Sequence, residues 1–225
     1  MHLTVIGATG MVGTRLVAEA LHRGHHVTAA SRHPTRYECP GARSLLVDTS
    51  SGEGLDAAVA ETDALILSVR TSPGQEDRLA PDTARVLDAA ARADVPVLVI
   101  GGAGPLRSPT DPSRRVADDK TYVPNDWRPL ASASAAQLDA CRAHTGARWT
   151  YLSPPAILQP GERTGTYRRG TTTLLTAQDG TSRISAEDLA VAALDEIEHP
   201  GVNQHITVAE SLDPGLGASP HIVGE

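Results

Sequence analysis

The amino-acid sequence predicts an α/β protein built on a doubly wound, Rossmann-like parallel sheet flanked by helices, with small substrate-side elements toward the C-terminus. Two observations carry this prediction. Short apolar runs alternate with helix-period segments from the first residue onward, which is the pattern of successive βαβ units. A G-x-x-G-x-x-G spacing, Gly7 to Gly13, falls where the first strand hands over to the first helix, a context in which each glycine has a mechanical job.

Residues 2–6 form the first strand. The helix over 11–23 repeats its apolar residues at Val12, Leu16 and Ala20 and stops at Gly24, suited to the position after a helix end. Strands follow at 26–30 and 42–47, then a short helix at about 53–60 and a fourth strand over 63–69, apolar enough to be covered on both faces. Residues 76–93 place Leu79, Val86, Leu87 and Ala90 on one helical face, and Pro81 either starts that helix or kinks it. A fifth strand runs over 97–100. From Gly101 to Pro129 no period survives among the glycines and prolines, so about 102–129 is expected to be a substrate loop, a lid or disordered. A helix over 131–144 and a strand at 148–152 come next. Ser185 opens the last main helix, with Asp188 three residues later as a capping box, and a strand at 203–208 follows. The expected organisation is a single dinucleotide-binding domain over 1–209, with a Gly- and Pro-rich flexible tail at 210–225.

Composition narrows the partners. A net charge of -7 argues against a nucleic-acid surface, which needs clustered positive charge. No apolar run approaches the roughly 20 residues that span a bilayer, and no secretory signal precedes the first strand, so the expectation is a cytoplasmic protein acting on a small molecule, with no nucleic acid and no membrane as partner. Cys39 and Cys141 are far apart and expected to be free thiols. The nine histidines include no H-E-x-x-H pair, and no metal site is expected; the serines lack a G-x-S-x-G elbow. Nothing in the pattern sets the oligomeric state.

In the turn itself, Gly7 permits the sharp bend, Gly10 lets a pyrophosphate approach the backbone and Gly13 lets the helix pack close to the sheet, while Thr9, Met11 and Val12 complete a helix N-terminus whose N–H groups attract the anion. After the second strand stands Ser31-Arg32 rather than an acid. An acid there would bind the adenosine ribose and a cation accommodates a 2′-phosphate, so the cofactor is read as NADP(H), with Arg32 as a solvated loop cation the alternative. Asp48 either reaches the adenine amino group or simply forms a turn.

Gly-Ala-Thr-Gly at 7–10, Ser31-Arg32, Gly-Gly-Ala-Gly at 101–104, Tyr-Leu-Ser-Pro-Pro-Ala-Ile at 151–157, Gly-Glu-Arg-Thr-Gly at 161–165 and Arg-Ile-Ser-Ala-Glu-Asp-Leu at 183–189 together resemble an atypical short-chain dehydrogenase/reductase. The similarity is greatest to the NmrA-like and NADH-flavin reductase group, which includes biliverdin-IXβ (flavin) reductase, and it covers about residues 1–209. The resemblance implies that the backbone at Pro155, Ala156 and Ile157 sits beside the nicotinamide carboxamide, and that Val69, Arg70 and Thr71, with Gly101 and Gly102, flank the ribose and nicotinamide. Departures limit the mechanism. Typical members use Tyr-x-x-x-Lys to pass a proton; here Leu130 and Ser134 stand at those positions, and Gly102 to Gly104 replace the usual serine. A flavin or quinone takes its proton from water, whereas a ketone needs Tyr122, Tyr151, Ser153 or a substrate group. Tyr122 and Trp127 either stack on a planar substrate or pin their loop to the core. The reading is an NADPH-dependent reductase; a non-catalytic NADP(H) sensor and an NADP-retaining isomerase or epimerase are the alternatives.

Overall fold

A computed structural model describes residues 1–34, 39–202 and 204–212. The elements in chain order are β1 (His2–Ile6), α1 (Met11–His22), β2 (His26–Ser31), β3 (Ala42–Leu46), α2 (Leu55–Val59), β4 (Ala64–Leu67), α3 (Leu79–Arg92), β5 (Val97–Ile100), α4 (Arg128–Ala143), β6 (Trp149–Ser153), β7 (Ile157–Gln159), β8 (Tyr167–Gly170), β9 (Arg183–Ser185), α5 (Ala186–Glu198) and β10 (His205–Glu210). Eight strands form one sheet in the order β3-β2-β1-β4-β5-β6-β10-β8, parallel except for β8, which runs antiparallel beside β10; β7 and β9 pair separately. The chain steps outward from β1 in both directions, so the carboxyl ends of β1 and β4 part and open the crevice in which such sheets bind ligands.

Both faces of the sheet are covered. Leu3, Val5, Ala29, Ile66, Leu98 and Leu152 point toward α1 and α5, where they meet Leu16, Val17, Leu189 and Leu194. Ile6, Leu65, Leu67, Val97, Val99 and Tyr151 point the other way, onto Leu55, Val86, Leu87 and Leu138 of α2, α3 and α4. Neighbouring strand residues therefore serve opposite cores, which is why β4 and β5 are apolar at every position. With no Phe in the chain, aliphatic side chains fill these cores almost alone.

Several expectations change in detail. Residues 76–78 form a 3-10 turn and α3 starts at Leu79, so Pro81 lies in the first turn, where its missing N–H costs no helical bond. The helix α4 starts at Arg128, earlier than expected, with Pro129 in its first turn. The stretch 101–127 is neither disordered nor an open lid. Leu106, Val116 and Val123 bury a small third core with Leu174, two 3-10 turns shape the chain, and Ser108 Oγ donates to Asp119 Oδ2 at 2.7 Å inside it. Only half of the expected capping box forms. The N-cap Ser185 accepts from the Asp188 amide, but the Asp188 carboxylate turns away to accept from the amides of Thr164 and Gly165 and from Thr164 Oγ1, at 2.6–2.9 Å. The last strand reaches Glu210, Ser211 and Leu212 follow, and the rest of the expected tail, 213–225, lies outside the described residues, as does Asn203 at the expected start of that strand. Cys39 and Cys141 are both free, and burial pushes the Cys141 thiol up to about 12.

Candidate functional site: a nucleotide crevice at the ends of the strands

Backbone packing shapes the turn between β1 and α1. Gly7 and Ala8 both donate to the carbonyl of Ala30 at the end of β2, and Gly7 has φ +88, a conformation open to glycine. A Cβ on Gly7 would lie 2.0 Å from Ser68 O just past β4, and one on Gly13 would lie 2.0 Å from Gly7 O. Both glycines are thus demanded by the fold itself. Gly10 is less constrained: its φ of -77 suits any residue, and a Cβ there would make one tight contact, 3.3 Å from Gly7 O. Thr9, Gly10 and Met11 are exposed, Gly10 caps α1 without a side chain, and no acid stands in the first turn. The amides of Met11, Val12 and Gly13 precede the first helical hydrogen bond, from Thr14 to Gly10 O, so they are available to an anion.

At the far end of this half, Ser31 closes β2 and Arg32 is exposed just beyond it. Asp48 lies close enough for the Arg32 charge to act on it, yet its Oδ1 is engaged by the Ser50 amide and hydroxyl at 2.8 and 2.7 Å. Those Ser50 contacts hold its pKa below the ordinary value. Asp48 thus forms the turn through Oδ1, while no contact of its Oδ2 among the described residues bears on the adenine role.

The other half lies beyond β4, β5 and β6. Val69 and Thr71 are half-buried, and the Thr71 hydroxyl is closed off from solvent with no hydrogen-bond partner among the described residues. Arg70 is exposed and stacks on the Trp127 indole, 5.3 Å from guanidinium carbon to ring centroid, joining the turn after β4 to the 101–127 segment. Trp127 is itself 54% exposed. Ala103, Tyr122, Ala131 and Ala156 are partly buried and each packs on the third core, which thereby gathers residues of the turn after β5, the 101–127 segment, α4 and the Pro-Pro segment.

Two expected catalytic residues are withdrawn from the crevice. Tyr151 is wholly buried: its hydroxyl proton is shared between Ser134 O at 2.9 Å and Gln137 Oε1 at 3.0 Å, and burial pushes its pKa upward. Ser153 is equally buried, 3.0 Å from His205 Nε2. Neither touches the crevice, because both lie on the face of β6 that packs toward α4. The backbone after Pro155 is also partly committed, since the Ala156 amide donates to Ser182 Oγ and the Ile157 amide to Ser182 O. Ser134, where the lysine of typical members would stand, donates to Ala131 O and abuts Gly102 and Gly104.

A set of residues that sequence reasoning passed over fixes the segment after β7. Arg163 binds Glu19 on α1 through two hydrogen bonds, Gly161 donates to Glu187 on α5, and Arg15 of α1 pairs with the same Glu187. The Gly-Glu-Arg-Thr-Gly motif is thus a clasp on α1 and α5. Its charged partners are Glu19, which no motif includes, and Glu187, which lies in the 183–189 motif; neither spacing nor period pairs them with it.

The comparisons with known proteins agree with this geometry. A family model described as NAD(P)H-binding matches residues 7–200. This chain belongs to that NAD(P)H-binding family. It is 32% identical over 217 residues to the uncharacterized protein YwnB of Bacillus subtilis, covering 95% of this chain and all of that one. Among solved structures, a Streptococcus pneumoniae protein provisionally named an NADH-flavin reductase superposes with a TM-score of 0.82 at 30% identity, over 94% of this chain and 100% of the other. A Bacteroides thetaiotaomicron protein provisionally named an epimerase does so at 0.80 and 32%, over 93% and 96%. The resemblance to an NmrA-like, NADH-flavin reductase group and the Rossmann-like fold are both upheld. Among the described residues no helix is long and apolar enough to cross a membrane.

Proposed function

We propose that this protein is an NADPH-dependent reductase that passes hydride to a small planar acceptor, a flavin, a quinone or a ketone, bound beneath the 102–129 segment. The observation that carries the reading is the composition of the acceptor end. Ala103, Ala131, Ala156 and Tyr122 are partly buried apolar residues packed on the third core, Trp127 is exposed beside them in sequence, and Tyr122 is the one candidate proton donor from the sequence that is not fully buried.

The residues present fit such a cofactor. The amides at the start of α1 would hold the pyrophosphate, Arg32 the 2′-phosphate, and the buried, unpartnered Thr71 hydroxyl would meet a ribose hydroxyl. When bound, NADPH supplies the hydride; the chain supplies binding, orientation and a dry surface. An acceptor reduced by hydride alone, with its proton taken from water, suits a site that has no Tyr-Lys pair. The names of the S. pneumoniae and B. thetaiotaomicron relatives support reductase and epimerase chemistry respectively. An epimerase that keeps its nucleotide is the second reading.

The test is anaerobic oxidation of NADPH or NADH against FMN, riboflavin, a quinone and cyclic ketones. Faster consumption of NADPH with flavin or quinone is the expected result. Consumption with ketones alone would require a side-chain acid, and Tyr122→Phe should then lower turnover at least ~100-fold with NADPH affinity unchanged. Nucleotide retained through purification, with no net consumption, would favour the epimerase.

A further inference from the structure

The core beneath the turn after β5 contains a chain of polar groups where apolar packing would be expected. Thr83 of α3, Gln137 of α4 and Tyr151 of β6 are all within 1% of complete burial. The bonds run in one direction. Thr83 Oγ1 donates to Leu79 O, Gln137 Nε2 donates to Thr83 Oγ1 at 3.0 Å, the Tyr151 hydroxyl donates toward Gln137 Oε1 and Ser134 O, and the Gly102 amide donates to the Tyr151 oxygen at 3.4 Å. Gln137 uses its amide nitrogen on Thr83, which fixes its oxygen toward Tyr151. The phenol is therefore left with its oxygen turned to Gly102.

The same phenol sets the shape of the turn. A Cβ on Gly101 would fall 2.0 Å from the Tyr151 ring, and one on Gly102 would fall 2.9 Å from Ser134 Oγ. The backbone of Gly101 and Gly102 thus lies directly on Tyr151 and Ser134. Buried polar groups cost free energy unless every partner is present, and an aliphatic residue at 151 would fill the core without that requirement. A hydroxyl retained there has its outlet at one place, the Gly102 amide.

We infer that Tyr151 is a positioning residue: its buried phenol, oriented by Gln137 and Thr83, sets the height of the Gly101–Gly102 backbone and so the seat of the nicotinamide half of the cofactor. This rests on the proposed reading that the turn after β5 flanks the nicotinamide. The substrate never meets Tyr151.

Calorimetric titration with two ligands tests it: NADPH, and 2′-phospho-ADP-ribose, which keeps the adenosine and both phosphate sites but lacks the nicotinamide. In Tyr151→Phe, NADPH affinity should fall by about tenfold, the scale of one buried hydrogen bond, while 2′-phospho-ADP-ribose stays within about twofold of wild type. Gln137→Leu, which leaves the turn untouched, should produce the same selective loss, and the double variant should be no worse than Tyr151→Phe alone. Leu138→Ala, a core truncation on α4, serves as the control for destabilisation and should shift neither affinity. Equal losses for both ligands, or no loss for either, would overturn the inference. Wild-type protein that binds neither ligand would instead defeat the cofactor reading itself.

Discussion

At the phosphate end of the crevice, backbone presses on backbone: Gly7 against Ser68, Gly13 against Gly7, and the first two amides of the turn on one carbonyl of β2. At the turn after β5, Gly101 rests on the Tyr151 side chain and Gly102 on Ser134, and a separate small core holds the 101–127 segment. The first arrangement is stiff, because peptide groups cannot change rotamer. The second can yield at Gly102, by rotation of the Ser134 hydroxymethyl group, while Gly101 rests on the buried and hydrogen-bonded Tyr151.

The largest effect expected from this contrast belongs to Gly13. In Gly13→Ala the new methyl carbon meets Gly7 O at 2.0 Å, so α1 must lift from the sheet, at a cost of about 3 kcal/mol. Denaturant unfolding should show that loss, and calorimetry should show no NADPH binding. Gly102→Ala meets only the Ser134 hydroxymethyl group, at 2.9 Å, and should lose less than half as much stability. Equal losses in the two variants would break the contrast.

Acid should separate the halves as well. Burial lowers the pKa of His205, beside Ser153, from 6.5 to about 4. Between those values the unfolded chain binds a proton that the folded chain refuses, so stability contributed by His205 is present above pH 6.5 and is lost as the pH falls toward 4; the full difference is roughly 3 kcal/mol. On α1, Glu19 acts in the same direction but in a lower pH range. Its hydrogen bond with Arg163, aided by Arg23, lowers its pKa from 4.5 to about 2 against the cost of burial, so its contribution is intact down to pH 4.5 and is lost from there toward 2. Unfolding free energies measured from pH 7 to 4 should decline in wild type and stay flatter in His205→Gln. A slope unchanged by that substitution would remove His205 from the account.

The same contrast decides what the sequence could reveal. The phosphate turn is local, so spacing and context were enough to name Gly7, Gly10 and Gly13, although only two of the three are required by the protein's own packing. Arg32 and Asp48 were legible as chain neighbours of strand ends, while the Ser50 contacts that make Asp48 a turn former were hidden in loop geometry. Tyr151 and Ser153 were misplaced for a definite reason: alternation along β6 shows that they share a face, but not that α4 covers it. The 101–127 segment reads as a substrate loop, a lid or disordered chain because Leu106, Val116 and Val123 follow no period, and Leu174, which closes their core, comes from a segment far along the chain.

Cofactor choice should give the next largest effect. Arg32 is exposed at the end of β2 and carries no ion pair among the described residues. Arg32→Ala should weaken NADPH binding by about 1.5–3 kcal/mol, the range for a charge-assisted contact, and leave NADH nearly unaffected. Calorimetric titration with both nucleotides checks this; an equal loss for both would place Arg32 outside the 2′-phosphate site. Asp48→Asn should alter neither affinity appreciably, since the Ser50 contacts to Oδ1 can survive the change.

The smallest expected effect lies where the turn after β4 touches the 101–127 segment. Arg70 over Trp127 is an exposed cation–π pair, worth about 0.5–1 kcal/mol, so its removal should hardly change the stability of the fold. The indole nonetheless presents most of a flat surface to solvent at the mouth of the site. In Trp127→Ala the melting temperature and NADPH affinity should remain near wild type, while KM for an aromatic acceptor such as FMN rises several-fold and KM for a small aliphatic ketone does not. A parallel rise for both acceptors would mean that Trp127 merely braces the 101–127 segment. A selective rise would mean that the crevice reads the acceptor's shape through a side chain that the fold does not need.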